Sequence, residues 1–256
     1  MLNSSSYPTD FTQYYVIEKF EISAKINDIL TTNELSFCLV QASLSGITNI
    51  RNTFLHESEE KRFQEYSHNL RKKSFLLGRF AAKKALRNYM SNNCKETEFC
   101  IKNSVTGEPI IEDKGLTISI SHSGNIGAAI VTSNFIKIGL DIEHALNFLE
   151  IDNCFYSEAE FELLNNVYIG YNKYIIKGFI WAAKESLVKF LGIGFTIPLN
   201  ILEVSAATYK DSMLHLNFKN FTTIITTLVH CENIILAIST SKSIPIPNIS
   251  NYIKNV

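Results

Sequence analysis

Residues 179–190 read FIWAAKESLVKF, a helical stretch in which Glu185 and Lys189, four apart, share one face. Upstream lies GLDIEH (139–144), where Asp141 and Glu143, two apart, point to the same side of a strand. Three carboxylates and one ammonium from these two elements can surround a divalent cation and a phosphate, because hard cations take carboxylate oxygens. Each piece also has a plainer reading. An Asp-x-Glu on a strand is commonly a solvated edge, and an exposed Glu185–Lys189 pair is worth only about 0.3–0.5 kcal/mol. The flanking residues weigh against exposure. Ile136, Ile138, Leu140 and Ile142 bury one face of the strand, and Phe179, Ile180, Trp181, Leu187, Val188 and Phe190 surround the helix. Charges in such surroundings need partners.

A third piece is SISHSGNIG (119–127). A lone His after a strand is usually structural, and serines make turns. Together, the Ser and His side chains and the N–H groups of a turn can also hold phosphate oxygens. The basic run Arg71, Lys72, Lys73, with Arg79, Lys83, Lys84 and Arg87, is most simply a solvated helix face, unless it borders the same cleft. TGEPI (106–110) reads as a turn.

These residues need a scaffold, and the composition supplies one. The chain has 256 residues, 46% hydrophobic and 19% charged, enough to bury a substantial core. Its net charge of -1 gives no sign of nucleic-acid binding, so any anion site must be a local cluster. The five cysteines (Cys38, Cys94, Cys100, Cys154, Cys231) are odd in number and never spaced CxxC, as expected for free thiols in a reducing cytosol. MLNSSSYPTDF lacks the pattern of a signal peptide. No apolar run approaches the roughly 20 residues that span a bilayer. A soluble, cytoplasmic protein is expected.

The pattern along the chain predicts an α+β fold. Residues 14–26 fit a strand or a short helix, and 35–44 a core strand. Helices are expected over 56–68 and 70–90, the second with an apolar stripe interrupted by Gly78. That glycine costs about 1 kcal/mol against Ala unless close backbone approach is needed. Strands follow at 98–104 and 116–124, with a hairpin of 126–133 and 135–143 around Ser133-Asn134. Ser157 and Glu160 form a helix-start signature, and a long helix runs from about 174 to 191. Four strand-like runs (201–209, 213–219, 221–229, 233–240) and an extended tail complete the chain. RFAAKKAL (79–86) and IWAAKESL (180–187) echo each other at an offset of 101 residues, as a tandem pair of α+β halves would, and as chance also would. Two halves would leave a cleft between them, a favoured place for a ligand. The division expected is 1–133 and 134–256.

In order, LLGRFAAKKAL (76–86), TGEPII (106–111), ISISHSGNIGAAIV (118–131), GLDIE (139–143) and WAAKESLVK (181–189) resemble the surfactin-type 4'-phosphopantetheinyl transferase family. The resemblance covers residues 56–195. It implies two similar α+β halves about a pseudo-twofold axis, each a small, mainly antiparallel sheet packed with a long helix. It also implies coenzyme A and Mg²⁺ between the halves. Carried over by motif, Asp141, Glu143 and Glu185 would surround Mg²⁺. Lys189 would contact the diphosphate, Ser121 and His122 would meet coenzyme A phosphates, and Lys83 is a further phosphate candidate. Glu108 departs from the family, which often has Lys or Arg there, and an acid would repel a phosphate.

The function this implies is transfer of 4'-phosphopantetheine from coenzyme A to a serine of an acyl or peptidyl carrier protein. Glu185 would take the serine proton and Lys189 would stabilise or protonate the leaving phosphate. A monomer is expected, with no nucleic-acid or membrane partner, and the carrier would meet residues 144–157 or 168–177. Two other classes use the same residues: a Mg²⁺-dependent nucleotide phosphodiesterase, which releases a free product without carrier, and a non-catalytic coenzyme A or carrier-binding module. Carrier modification separates the first, and metal dependence the second.

Overall fold

The computed structural model describes residues 15–26, 29–91, 94–111, 115–151, 155–194 and 196–253. The polar N-terminal stretch 1–11, Tyr14, Cys154 and the last three residues of the tail lie outside the described residues. Four layers build the fold. A long hairpin, β1 (Tyr15–Ile26) and β2 (Ile29–Gln41), leads to α1 (Leu44–Asn49), α2 (Glu57–Glu65) and α3 (Asn69–Met90). The short strands β3 (Ile101–Asn103) and β4 (Pro109–Ile111) pair with each other. Next come β5 (Leu116–Ser123), β6 (Ile126–Ser133), β7 (Gly139–His144), α4 (Glu158–Val167) and α5 (Lys173–Leu191). Strands β8 (Val204–Lys210), β9 (Met213–Phe218), β10 (Ile224–Cys231) and β11 (Ile234–Ser241) follow, then α6 (Ser250–Ile253).

The strands form two antiparallel sheets, in the orders β1-β2-β6-β5 and β7-β11-β10-β9-β8. Helix α3 packs on the first sheet and α5 on the second. Between the sheets lies a core of Phe37, Leu39, Ile130, Leu140, Ile142, Leu236 and Ile238, closed at one end by Ile244, Ile246, Ile249 and Ile253 of the tail. Both faces of the central strands are therefore covered, which is why β6 (IGAAIVTS) and β11 (IILAISTS) are nearly continuous apolar runs without alternation.

The α+β class and the four strands after residue 200 stand as expected from the sequence. The hairpin expected from 126–133 and 135–143 does not form. Strand β6 pairs with β2 and β5, whereas β7 pairs with β11, so the chain crosses from one sheet to the other between Ser133 and Gly139. The apolar residues Ile136 and Ile138, which suggested a continuing strand, fill the inter-sheet core. The described part of the tail is not wholly extended, since it includes α6.

Three glycines mark where helices and strands pack most closely. A Cβ on Gly139, at the start of β7, would lie 2.0 Å from the Ser186 carbonyl oxygen and 2.5 Å from the Phe190 nitrogen of α5. On Gly127 of β6 it would lie 2.7 Å from the Leu77 carbonyl of α3, and on Gly78 it would meet Ile120 at 2.9 Å. Gly78 is thus retained inside a helix because β5 needs the approach. At Gly139 the obstacle is main chain, which cannot rotate aside. Gly139→Ala should therefore cost about 3 kcal/mol or more, at the top of the overpacking range, seen as a lower urea midpoint with an unchanged slope.

The two sheet–helix units share one internal device. Glu59 caps α2 in a capping box with His56, and Glu160 caps α4 in a capping box with Ser157. Each glutamate is then buried against a lysine of the long helix that follows, Lys83 at 2.7 Å and Lys184 at 2.8 Å. Each member of the second set follows its counterpart by 101 residues, the same offset as the sequence echo. Glu59 also accepts from the Ile101 amide and Glu160 from the Val204 amide, fixing the strand that comes next.

Candidate functional site

The acids lie on the seam where the two sheets meet. Strands β5 and β7 face each other there without a backbone ladder, and a row of serines substitutes for one. Ser119, Ser121 and Ser123, at every second position of β5, point to the same side and accept the amides of Leu140, Ile142 and His144 at 2.8, 3.2 and 3.2 Å. Two of these hydroxyls donate onward to the acids of β7. Ser121 bonds Asp141 Oδ1 at 2.7 Å, and Ser123 bonds Glu143 Oε2 at 2.9 Å. From α5, Trp181 Nε1 donates to Glu143 Oε1 at 3.0 Å. Lys189 Nζ lies 2.8 Å from Asp141, 2.9 Å from Ser121 and 3.5 Å from Glu185.

Asp141, Glu143 and Glu185 thus converge, with one carboxylate oxygen from each lying within 4.8 Å of the others. Asp141 is 1% exposed, and its Oδ2 is buried without a hydrogen-bond partner among the described residues. A buried carboxylate oxygen of that kind is costly unless something fills its place. The donor set, three carboxylates, is that of a hard divalent cation. Geometry and chemistry therefore both fit Mg²⁺.

The electrostatics agree. Desolvation pushes the Asp141 carboxyl up to about 8, with Glu185 and Glu143 acting in the same direction and Lys189 opposing. Desolvation also raises Glu143, while its bonds from Ser123 and Trp181 pull the other way. Burial works against the Lys189 ammonium, but Asp141 and then Glu185 outweigh it and hold its pKa above the ordinary value. Lys189 is thus a fixed positive charge at neutral pH.

A cleft leads away from the acids along β5. One cavity of about 180 Å³ is walled by Ile118, Ile120, Val188, Pro109 and Lys189. It adjoins a second, of about 240 Å³, which carries Arg62, Arg71, Arg79 and His122. His122 is open to solvent on one side, yet the protein packed around its ring, and then the Lys189 and Arg71 charges, lower its pKa. Glu108 lines the first cavity and approaches Gly192, the left-handed residue that ends α5.

The residues singled out in the sequence divide in two. Asp141, Glu143, Glu185, Lys189 and Ser121 meet in one place, and His122 borders the adjoining cleft. Ser121 is buried and spends its bonds on Asp141, Ile142 and Lys189, so here it holds the acid and the amine rather than facing the cleft. Lys83 does not join them. It is fully buried, paired with Glu59, and donates to the carbonyls of Phe99 and Glu96. Burial lowers its pKa against the pull of Glu59. The sequence reading of Lys83 as a phosphate contact missed Glu59, whose role is set by the fold of α2 over α3. Of the basic run, Arg71 and Arg79 do border the cleft, whereas Lys84 and Arg87 pair with Glu96.

Sequence reasoning passed over Arg62 and Asn147, and it gave Ser119, Ser123 and Trp181 no role in holding the acids. The serine alternation was visible as a period of two. Nothing in the charged helix distinguished Arg62, and nothing in the loop after β7 distinguished Asn147, which bonds Ser123 at 3.2 Å.

Residues 137–239, which hold all three acids and Lys189, match the family model described as the 4'-phosphopantetheinyl transferase superfamily. Among solved structures, the chain is similar to the holo-[acyl-carrier-protein] synthase of Thermotoga maritima. The identity is 20% over 46% of this chain and 68% of the other, with a TM-score of 0.33. No curated protein matches the chain. Among the described residues, no helix is long and apolar enough to cross a membrane.

Proposed function

We propose that this protein transfers the 4'-phosphopantetheine group of coenzyme A to a serine of an acyl or peptidyl carrier protein, in the manner of the surfactin-type enzymes. The observation that carries the reading is the convergence of Asp141, Glu143 and Glu185 beside Lys189, at the head of a cleft lined with arginine. Asp141, Glu143 and Glu185 would hold Mg²⁺, whose charge on the diphosphate oxygens offsets the negative charge that develops as the bond to phosphorus breaks.

The chain's own residues do the rest. Lys189, kept charged by Asp141 and Glu185, stabilises the departing phosphate as a positive charge rather than as a proton donor. Glu185, 24% exposed in its side chain, is the acid open to an incoming serine and accepts its proton. Arg62, Arg71 and His122 receive the 3'-phosphate of the nucleotide, and the cavity between Pro109, Ile120 and Val188 receives its base. The carrier meets the loop after β7, where Leu146 and Leu149 are 42% and 56% exposed, or the segment 168–177.

The repeated capping-box and Glu–Lys device supports two halves, 1–133 and 134–256, related by a pseudo-twofold axis. Only the second half carries the acids. At the 101-residue offset, Glu185 corresponds to Lys84 and Lys189 to Asn88. One site per chain, built within a single chain, fits a monomer, and cysteines that are odd in number and never spaced CxxC fit a cytoplasmic protein.

The test is the mass of an apo carrier after incubation with coenzyme A and Mg²⁺. A gain of one phosphopantetheine supports the reading. Free product with an unmodified carrier points to a phosphodiesterase, and an unchanged mixture to a binding module.

The raised Asp141 pKa also has a pH signature. A cation binds the ionised carboxylate, so below about 8 binding must displace a proton. Mg²⁺ affinity should therefore rise from pH 6 towards about 8 and then level off. Calorimetry at pH 7 in two buffers of different ionisation enthalpy should register proton release.

A further inference from the structure

Beyond the two adjoining cavities already assigned to the nucleotide, a third lies by the acids. Along β5, Ile118 to Ile120 wall the nucleotide side, and Ser121 and Ser123 hold the acids. Gly124, Asn125 and Ile126 then line a separate cavity of about 350 Å³, closed by His144, Asn147, Glu232 and Asn233, with Gln41 at the end of β2. Its link to the acids is direct, since Asn147 Nδ2 bonds Ser123 and lies 3.5 Å from Glu143. Its volume falls within the range that takes small organic ligands.

The lining is unusual in kind. Four carboxamides, an imidazole and one carboxylate surround it, and each carboxamide both donates and accepts. The side chains of Gln41, His144 and Asn233 are partly buried, yet they make no hydrogen bond or ion pair with other described residues. A diphosphate held at the acids has two ends. One carries the nucleotide, which the apolar and arginine-lined cavities suit. The other must leave on the opposite side.

We propose that this cavity binds the pantetheine arm of the coenzyme, an extended chain of two secondary amides and a hydroxyl whose donors and acceptors the carboxamides match. The inference rests on the transferase reading given above. It assigns Gln41 and Asn233 to substrate binding away from the reacting atoms.

The test compares two ligands by calorimetry with Mg²⁺ present: coenzyme A, and adenosine 3'-phosphate 5'-diphosphate, which has the same nucleotide and diphosphate but no arm. The wild-type protein should bind coenzyme A more tightly. The double variant Gln41→Leu, Asn233→Ala should lose about tenfold in affinity for coenzyme A, the value of two neutral hydrogen bonds. The armless nucleotide should stay within about twofold. Equal loss for both ligands, or loss for neither, overturns the arm site and leaves the transferase reading standing. Failure of coenzyme A to bind the wild-type protein overturns both. Should the variant melt early, side-chain amide NMR of the wild type decides. The Gln41 and Asn233 signals should shift with coenzyme A and not with the armless nucleotide. The same response to both ligands refutes the assignment.

Discussion

Glu185→Ala should slow carrier modification by roughly 10²–10⁴-fold, the range for loss of a general base, and more where the cation is lost with it. Asp141→Asn should do at least as much for a different reason. Asparagine keeps the size and the bond from Ser121, but it removes the charge that fixes Lys189 at 2.8 Å and the oxygen that stands buried without a partner. The two are separable by rate against Mg²⁺ concentration. Excess Mg²⁺ should recover part of the Glu185→Gln loss, since the buried, unpartnered Asp141 oxygen is kept, and little of the Asp141→Asn loss, where that oxygen is gone. Wild-type turnover in Glu185→Ala would remove that residue from the chemistry.

The second large effect concerns stability. Lys184→Met should destabilise the fold by about 3–5 kcal/mol, because it leaves Glu160 charged and buried at 3% exposure. Glu160 would still cap α4 and accept from the Val204 amide at 2.9 Å, so the loss is of the countercharge rather than the whole network. Adding Glu160→Gln should restore much of it. Glutamine carries no charge to strand, but its single oxygen can accept from the Ser157 amide or the Val204 amide and not from both, so the recovery is partial. Urea unfolding of wild type, single and double variants measures the coupling. A double variant no more stable than the single would show that the charge is not the cause. By the same reasoning Lys83→Met should cost a similar amount through Glu59, and should not change coenzyme A affinity in the folded fraction.

The site was legible in the sequence wherever its residues sit at fixed periods. Asp141 and Glu143 are one strand period apart, and Glu185 and Lys189 are one helical turn apart. Each pair therefore had to share a side once its element was identified. What local periodicity did not contain was depth. The same apolar neighbours that marked β7 as a strand left open whether its acids faced water, and only the packing of β5 and α5 against β7 makes Asp141 buried. Lys83 failed for the complementary reason. Its partner Glu59 lies on another helix, and no local pattern connects the two. The mistaken hairpin at residues 133–134 shows the same limit. Short apolar runs on either side of a turn look alike whether the chain folds back or crosses to a second sheet. Arg62 and Asn147 were invisible because their positions are set by where α2 and the loop after β7 come to rest.

Titration of the protein with Mg²⁺, or with Mn²⁺ followed by its paramagnetic signal, tests most directly whether strand and helix acids form one cation site. At pH 8 the wild-type chain should bind one ion, and Asp141→Asn and Glu185→Gln should each weaken that binding at least tenfold while melting normally. Binding left unchanged by both substitutions would mean that the cation, if it acts at all, is held elsewhere, and the account of this seam as a metal-assisted transfer site would be wrong.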